Sequence, residues 1–275
     1  MIVIIPIYRR PEMLYWCLWQ IKKADEAKEN YYIFAADIGA FADGLKMANS
    51  FLEDFHGEIL RPDTRIQASP LAKQSRNILE AYRIGAKLGE MHSQRVTLIE
   101  EDVMIHKQYF KWHAAYCEML TFCRIASVDH NPNEDMRSDF SGNAFLITAS
   151  HYQSIGVSFT ADVLTNLILP HVNRSYYNDP KGYMSKFDTP LNDNFCEQDG
   201  LIRRIGWSTG MMNLFPKEPL CYHAGFYGKN RPNHRIKRMS NLSEKIDLLG
   251  SIIFDAEKIK LHAGALWADC VPISL

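Results

Sequence analysis

Residues 95–102 read Arg-Val-Thr-Leu-Ile-Glu-Glu-Asp, and this stretch decides the expected fold. Its apolar run is short and contains β-branched residues, which predicts a buried strand. Three carboxylates, Glu100, Glu101 and Asp102, follow that strand directly. Crowded carboxylates that lose water repel one another, so a hard divalent cation stabilises them. Ligands bind at this end of the strands in open α/β sheets. The stretch therefore predicts a metal that holds a phosphorylated ligand; the alternative is solvated acids at an ordinary strand exit.

The residues upstream predict the sheet to which this strand belongs. Ile2–Ile5 is a continuous apolar run ended by Pro6, as expected for a central parallel strand. Pro11 opens an amphipathic helix, Tyr31–Ala36 forms a second strand, and Ser69 is a candidate N-cap for a second helix. This alternation of strands and helices predicts a parallel, doubly wound α/β sheet.

The residues downstream predict a more mixed region. We expect a helix over Tyr109–Ile125, a strand at Phe145–Ile147, and helices over 151–169 and 197–205. The stretch 173–194 is rich in Asn, Asp, Pro, Gly and Tyr, a composition typical of a substrate-facing loop.

Charge and cysteine content restrict the function classes. The chain of 275 residues carries 31 basic and 32 acidic side chains, a formal net charge of −1, so no global field recruits nucleic acid or an anionic membrane. Its six cysteines show no zinc-binding spacing, which indicates reduced thiols. No apolar stretch is long enough to span a bilayer. These features predict a soluble cytoplasmic protein, located in the host cytoplasm if it is viral.

Two common nucleotide-binding signatures are missing from the sequence. The glycine spacings never give G-x-G-x-x-G, the dinucleotide fingerprint. Residues 39–46, Gly-Ala-Phe-Ala-Asp-Gly-Leu-Lys, approach a P-loop, but Leu45 stands where lysine is required. The sequence thus argues against hydride transfer and against P-loop phosphoryl transfer.

The order of five motifs resembles the GT-A glycosyltransferases, especially the family-2-like inverting branch. The motifs are IVIIPIYRRPEML (2–14), Asp37 after the second strand, SRNILEAYRIG (75–85), LIEEDV (98–103), and the late pair FCEQDGLIRRIGW (195–207) and YHAGFYG (222–228). The resemblance implies a GT-A-like α/β fold, Rossmann-related, with a mostly parallel sheet flanked by helices.

The resemblance also implies how the chain is divided. It covers residues 1–228 as a catalytic domain, in which 1–105 bind the nucleotide-sugar and 106–228 provide the acceptor and catalytic half. Residues 229–275 would form a C-terminal extension that could act as a lid.

The implied donor is a nucleotide diphosphate sugar, most simply a UDP-sugar. The positions that match the family's nucleotide-binding residues are Pro6, Tyr8, Arg9, Asp37, Arg76, Asn77 and Glu101. An aspartate such as Asp37 is a suitable acceptor for ribose hydroxyls, although it could equally cap a turn. Arginine near a helix start would add charge assistance to phosphate binding.

The acidic motif resembles the family's D-x-D metal site. Glu100 and Asp102 occupy its first and third positions, and the late His223 matches a further ligand. Mn²⁺ or Mg²⁺ held there would neutralise the leaving diphosphate. The first acid is glutamate rather than the usual aspartate, so which of the acids binds metal stays open, with Asp102 favoured.

Asp199 matches the general base of the family's late acidic motif. A base is needed because an acceptor hydroxyl is a poor nucleophile until it loses its proton. Gln198 separates Asp199 from Glu197, which leaves Glu197 as the alternative base. Acids that merely stabilise a helix N-terminus are the structural alternative.

The acceptor and the role of the basic cluster Lys229–Arg238 remain open at this level. The cluster could cover the diphosphate, contact nucleic acid or be a solvated face. Acceptors that fit are a glycan, a lipid-linked intermediate, a protein, or a hydroxymethylated DNA base as in phage-type enzymes. The alternative functions are a sugar nucleotidyltransferase and a catalytically silent sugar-nucleotide-binding protein.

Overall fold

The structure is a computed structural model of the chain. It describes residues 1–37, 39–61, 67–69, 72–92, 94–116, 123–126, 138–139, 144–148, 155–189, 197–224 and 239–254.

The first hundred residues alternate strands and helices as predicted, and they contain one further helix, Ala42–Leu52, that was not predicted. The elements are β1 (Ile2–Ile7), α1 (Pro11–Lys23), β2 (Tyr31–Ala36), α2 (Ala42–Leu52), β3 (Gly57–Leu60), α3 (Lys73–His92) and β4 (Arg95–Leu98). The four strands are parallel and lie in the order β3-β2-β1-β4. Parallel pairing places the carboxyl ends of β1, β2 and β4 at one edge of the sheet, and this edge carries the predicted nucleotide-binding residues.

The remaining described elements extend this sheet in a mixed manner. They are β5 (Val103–Ile105), α4 (Tyr109–Ala115), β6 (Cys123–Ala126), β7 (Ser138–Asp139), β8 (Ala144–Thr148), β9 (Ser158–Thr160), α5 (Ala161–Val163), α6 (Arg174–Asn178), α7 (Pro180–Met184), α8 (Gln198–Thr209), β10 (Met212–Pro216), β11 (Cys221–His223) and α9 (Leu242–Ile253). After α5 the chain continues through a π turn to a 3-10 turn that ends at His171. In the described chain the full sheet order is β3-β2-β1-β4-β9-β6-β10-β8-β7, and β11 pairs with β5 in a separate antiparallel ribbon.

Helices cover both faces of the sheet, because the central strands are apolar on both sides. Along β1, Val3, Ile5 and Ile7 join one buried cluster with α1, α2, α4 and α9. Ile2 and Ile4 join the other buried cluster with α3, α5 and α8. The α/β fold with a mostly parallel central sheet is thus confirmed.

Two predicted helices in the second half were wrong in part. The helix predicted over Tyr109–Ile125 ends at Ala115, and Cys123–Ala126 is a strand between β9 and β10. Within the helix predicted over 151–169, Ser158–Thr160 pairs with β4 and β6 before α5 begins. Both strands are short and gain their stability from pairing with distant strands, which local periodicity does not reveal.

Other boundaries differ for local reasons. The helix predicted to start at Ser69 begins at Lys73. β1 continues through Pro6 to Ile7, because its pairing with β4 ends at Ile4 and the missing N–H of proline is tolerated there. The predicted loop 173–194 contains the short helices α6 and α7. None of the described helices has the length and apolar character required to cross a membrane.

Candidate active site

The acidic motif lies at the carboxyl end of β4, beside the loop that follows β1. Hydrogen bonding between β1 and β4 extends to this point, since the backbone N–H of Ile99 donates to the carbonyl of Ile4 at 3.0 Å. Glu101 and Asp102 are buried, with 4% and 3% of their surfaces exposed, whereas Glu100 is half-buried. The sequence motif therefore becomes a cluster of carboxylates that have largely lost contact with water.

Arg10 in the loop after β1 is the principal partner of this cluster. Its Nε donates to Glu101 Oε1 at 2.7 Å, and its Nη1 donates to Asp102 Oδ2. The other oxygen of Glu101 accepts the backbone N–H of Tyr8 at 3.2 Å. Glu101 thus ties the β1 loop to the acidic motif, and one guanidinium balances two buried carboxylates.

His223 reaches the same cluster from the C-terminal half of the chain. The β11–β5 ribbon places His223 opposite Val103, and its Nε2 lies 3.0 Å from Asp102 Oδ2. The backbone N–H of Ala224 also donates to the carbonyl of Asp102 at 2.7 Å. The predicted proximity of Asp102 and the late histidine is therefore present in the structure.

Asp199 approaches the cluster from the N-terminal turn of α8. The backbone N–H of Gln198 donates to Ser75 Oγ at 2.9 Å, which fixes the start of α8 against the start of α3. Asp199 lies close enough that its charge raises the pKa of Glu100. Glu197 is the N-cap residue of α8, so it lies outside the helix while Asp199 lies within its first turn.

The carboxylates differ in acidity because their partners differ. Burial raises the pKa of Glu100 to about 8, and the charges of Asp102 and Asp199 add to this rise. Burial also raises the pKa of Glu101 to about 7, against the opposing charge of Arg10. Burial acts in the same direction on Asp102, but the hydrogen bond with His223 and the charge of Arg10 lower its pKa to about 2. Asp102 is consequently the acid that stays ionised most firmly.

The donor set suits a hard divalent cation, although its atoms are engaged otherwise in this conformation. Asp102 Oδ1 is buried and has no hydrogen-bond partner among the described residues, so one carboxylate oxygen is available to a cation. Carboxylates with one imidazole are ligands of Mn²⁺ and Mg²⁺ type sites. Within the described residues, however, no three His, Cys, Asp or Glu side chains converge as they would around a bound ion. Arg10 occupies part of that space.

The loops after β1 and β2 form an exposed platform beside the acidic motif. The backbone N–H of Phe41 donates to the carbonyl of Tyr8 at 2.9 Å, and Arg9 Nε donates to the carbonyl of Gly39 at 3.4 Å. The Arg9 guanidinium lies 4.9 Å from the Tyr8 ring centre and 6.0 Å from that of Phe41. Both rings are exposed, and the half-buried Asp37 lies at the same edge. Gly39 has φ +90°, a conformation that favours glycine.

Arg76 and Asn77 lie in the first turns of α3 and are buried, with 6% and 9% exposure. Arg76 is therefore not a solvated surface arginine. Asn77 Oδ1 has no hydrogen-bond partner among the described residues. Both residues follow directly after Ser75, which contacts the start of α8, so they lie close to the contact between α3 and α8.

The structure thus gathers most of the predicted residues at one edge, and it adds three that sequence reasoning missed. Arg10 and Phe41 contact predicted site residues, and Ser75 contacts Gln198, the neighbour of Asp199. Arg10 had a usable signal, because a cationic side chain next to a strand end is the natural partner of acids at the neighbouring strand end. The basic cluster Lys229–Arg238 lies outside the described residues.

Comparison with solved structures identifies the fold. The sequence matches no protein-family model and no curated protein. The structure is similar to residues 1–349 of TarS from S. aureus in complex with UDP-GlcNAc, with TM-score 0.53, 13% identity and coverage of 92% of this chain and 66% of that one. It spans 39% of the longer TarS chain, at TM-score 0.52 and 12% identity over 92% of its own length.

A second solved structure has the same architecture. The mannosyltransferase PcManGT from Pyrobaculum calidifontis, in complex with GDP-Man and Mn²⁺, gives TM-score 0.52 and 12% identity over 98% of this chain and 67% of that one. At such identities the similarity establishes the fold alone. The chain therefore has the GT-A type of α/β fold that the sequence motifs predicted.

Proposed function

We propose that the protein is an inverting glycosyltransferase that transfers a sugar from a nucleotide diphosphate donor to an acceptor hydroxyl. The observation that carries this proposal is the meeting of Asp102, His223 and Asp199 at the carboxyl edge of a GT-A-type sheet. These residues come from three distant parts of the chain. A cluster with only a structural role would not require Asp199 to approach Glu100, because this approach raises the pKa of Glu100 further.

The nucleotide would bind on the platform made by the loops after β1 and β2. Tyr8 and Phe41 expose their rings there, as needed for stacking against a base, and Asp37 offers oxygens to ribose hydroxyls. Pro6, Arg9, Arg76 and Asn77 complete the proposed nucleotide contacts. Two similar structures hold UDP-GlcNAc and GDP-Man, which supports a nucleotide-sugar donor; UDP is the nucleotide we propose.

A divalent cation, Mn²⁺ or Mg²⁺, would be held by Asp102 with His223, and Glu100 is the next candidate ligand. When bound, it supplies positive charge that stabilises the leaving diphosphate. Asp102 is suited to this role because it is ionised, buried and has one oxygen without a described partner. Glu101 contributes indirectly, since it positions the β1 loop through Tyr8 and Arg10.

Asp199 is the proposed general base. Its carboxylate would accept the proton of the acceptor hydroxyl as that oxygen attacks the anomeric carbon, while the bond from this carbon to the diphosphate oxygen breaks. The link between Gln198 and Ser75 holds Asp199 in place for this step. Glu197 stays the alternative base. For the acceptor we retain a glycan or a hydroxymethylated DNA base, each of which offers a hydroxyl.

A single assay separates this proposal from its alternatives. The protein is incubated with a panel of nucleotide sugars and Mn²⁺, with and without glycan or hydroxymethylated DNA, and the released phosphates are identified. Release of nucleoside diphosphate is expected for a glycosyltransferase. Pyrophosphate release would indicate a nucleotidyltransferase, and binding without release would indicate a silent sugar-nucleotide-binding protein.

A further inference from the structure

Arg10 neutralises the acidic motif from within the protein. Its guanidinium bonds to Glu101 at 2.7 Å and to Asp102, whose side chains are each 5% exposed, while its own side chain is 24% exposed. The neighbouring carboxylates raise the pKa of Arg10 above its ordinary value in spite of burial, so it is a permanent cation here. Arg10 thus already supplies one of the two positive charges that the proposed function assigns to a divalent ion.

Arg10 and a divalent ion would both bind the carboxylate of Asp102. Asp102 Oδ2 is already shared by Arg10 and His223, and Oδ1 is the oxygen that stays without a described partner. An ion bound to Asp102 and His223 would lie next to the guanidinium. Two cations at such short range repel strongly where little water screens them.

We infer that Arg10 and the divalent cation are alternative partners of the acidic motif, and that Arg10, once displaced, binds the diphosphate of the donor. The inference rests on the proposed function. A guanidinium is suited to this second role because its planar donors match phosphate oxygens in pairs. The position of Arg10 fits as well, since it is the last loop residue before α1 and is partly exposed at the ligand-binding edge.

A permanent structural ion pair is the competing explanation, and it predicts the opposite effect of mutation. If Arg10 only maintains the shape of the motif, its removal disorders the carboxylates and weakens cation binding. If Arg10 competes, its removal strengthens cation binding. The sign of the change therefore decides between the two.

The first experiment measures Mn²⁺ binding without nucleotide by electron paramagnetic resonance. Arg10→Gln is expected to bind Mn²⁺ roughly 5- to 150-fold more tightly than the wild type, the usual range of coupling between two sites. Arg83→Gln is the control. It removes the same charge, but Arg83 contacts Glu80 and the carbonyl of Val172 and has no role in the proposed site, so its Mn²⁺ affinity should equal that of the wild type.

Arg10→Lys covers the case in which Arg10→Gln does not fold. A lysine ammonium keeps the charge but cannot form the paired contacts of a guanidinium. The Mn²⁺ affinity of Arg10→Lys should therefore lie between those of the wild type and Arg10→Gln. Mn²⁺ should also raise the melting temperature of the Arg10 variants more than that of the wild type. Equal or weaker Mn²⁺ affinity in both Arg10 variants overturns the competition.

The second experiment measures UDP binding at saturating Mn²⁺ by calorimetry. We expect Arg10→Gln to weaken UDP binding roughly 10-fold, because one charge-assisted contact is lost. Arg10→Gln is thus expected to strengthen Mn²⁺ binding in the first experiment and to weaken UDP binding in the second. Unchanged UDP affinity overturns the role at the diphosphate. If the wild type binds no nucleoside diphosphate, the proposed function fails, while the nucleotide-free titration still decides the competition.

Discussion

The two regions that meet at the acidic motif are built differently. From β1 to β4, each strand is parallel to its neighbour, and the site residues follow strand ends except for Arg76 and Asn77 at the start of α3. From β5 onwards, short antiparallel strands dominate, and His223 and Asp199 reach the site through the β11–β5 ribbon and the start of α8. We interpret the first region as the donor-binding half and the second as the half that supplies the base. The predictions below test that division.

The largest effect is expected in the second region, at Asp199. Asp199→Asn should lower turnover by ~10²- to 10⁴-fold, the usual contribution of a general base. Donor affinity should stay within about 2-fold of the wild type, because the proposed donor contacts lie elsewhere. The measurement is steady-state kinetics together with calorimetric donor binding. Glu197→Gln is the control, and an inactive Glu197→Gln beside an active Asp199→Asn would exchange their roles.

The next largest effect is expected at Asp102 in the acidic motif, where the two regions meet. Asp102→Asn keeps the size of the side chain but removes the negative charge that binds Arg10, His223 and the proposed cation. Mn²⁺-dependent donor affinity should fall roughly 10- to 100-fold or more, since even supporting residues of metal sites contribute this much. Asp54→Asn is a suitable control, because Asp54 is an exposed partner of Lys22. Donor affinity that is insensitive both to Asp102→Asn and to chelator would remove the cation from the account.

A smaller effect is expected in the first region, at Asp37. Asp37→Asn should weaken donor binding roughly 10-fold, because a hydrogen bond to a charged acceptor is lost. Turnover at saturating donor should be retained, which contrasts with Asp199→Asn. Calorimetry and kinetics on the same preparation test this, with the exposed Asp43→Asn as control. A fall in turnover without weaker binding would contradict the division of roles.

The last effect, on stability and with no direct effect expected on the chemical step, concerns the contact between the two halves. Ser75→Ala removes the acceptor of the buried Gln198 N–H, and an unsatisfied buried group costs about 1–3 kcal/mol of unfolding free energy. Urea unfolding measures this change, and Ser251→Ala, which removes an exposed serine contact in α9, is the control. Equal unfolding free energies for Ser75→Ala and the wild type would show that this contact does not hold α8.

The same comparison explains what could be predicted from sequence. In the first region, helical periodicity and apolar runs identified α1, β2 and β4, because each element is specified by its own residues and parallel order follows from alternation. In the second region, Cys123–Ala126 and Ser158–Thr160 were assigned to helices. These strands are short, and their conformation depends on partners far along the chain.

The candidate site divides in a similar way. Glu100, Asp102, Asp199 and His223 could be selected because acids at strand ends and helix starts have recognisable positions. For Arg10 the sequence signal is weaker, since Arg9 and Arg10 both follow the first strand and only the fold shows which of them contacts the acids. The contact between Ser75 and Gln198 depends on how α3 and α8 pack, which no local pattern encodes.

Hydrogen exchange with and without a nucleotide sugar and Mn²⁺ locates the bound donor without assuming an acceptor. We expect slower exchange in peptides that cover residues 5–10, 98–103 and 197–202, the segments that meet at the carboxyl edge of the sheet. Protection confined to α9 or β3, with these three segments unchanged, would contradict the placement of the active site.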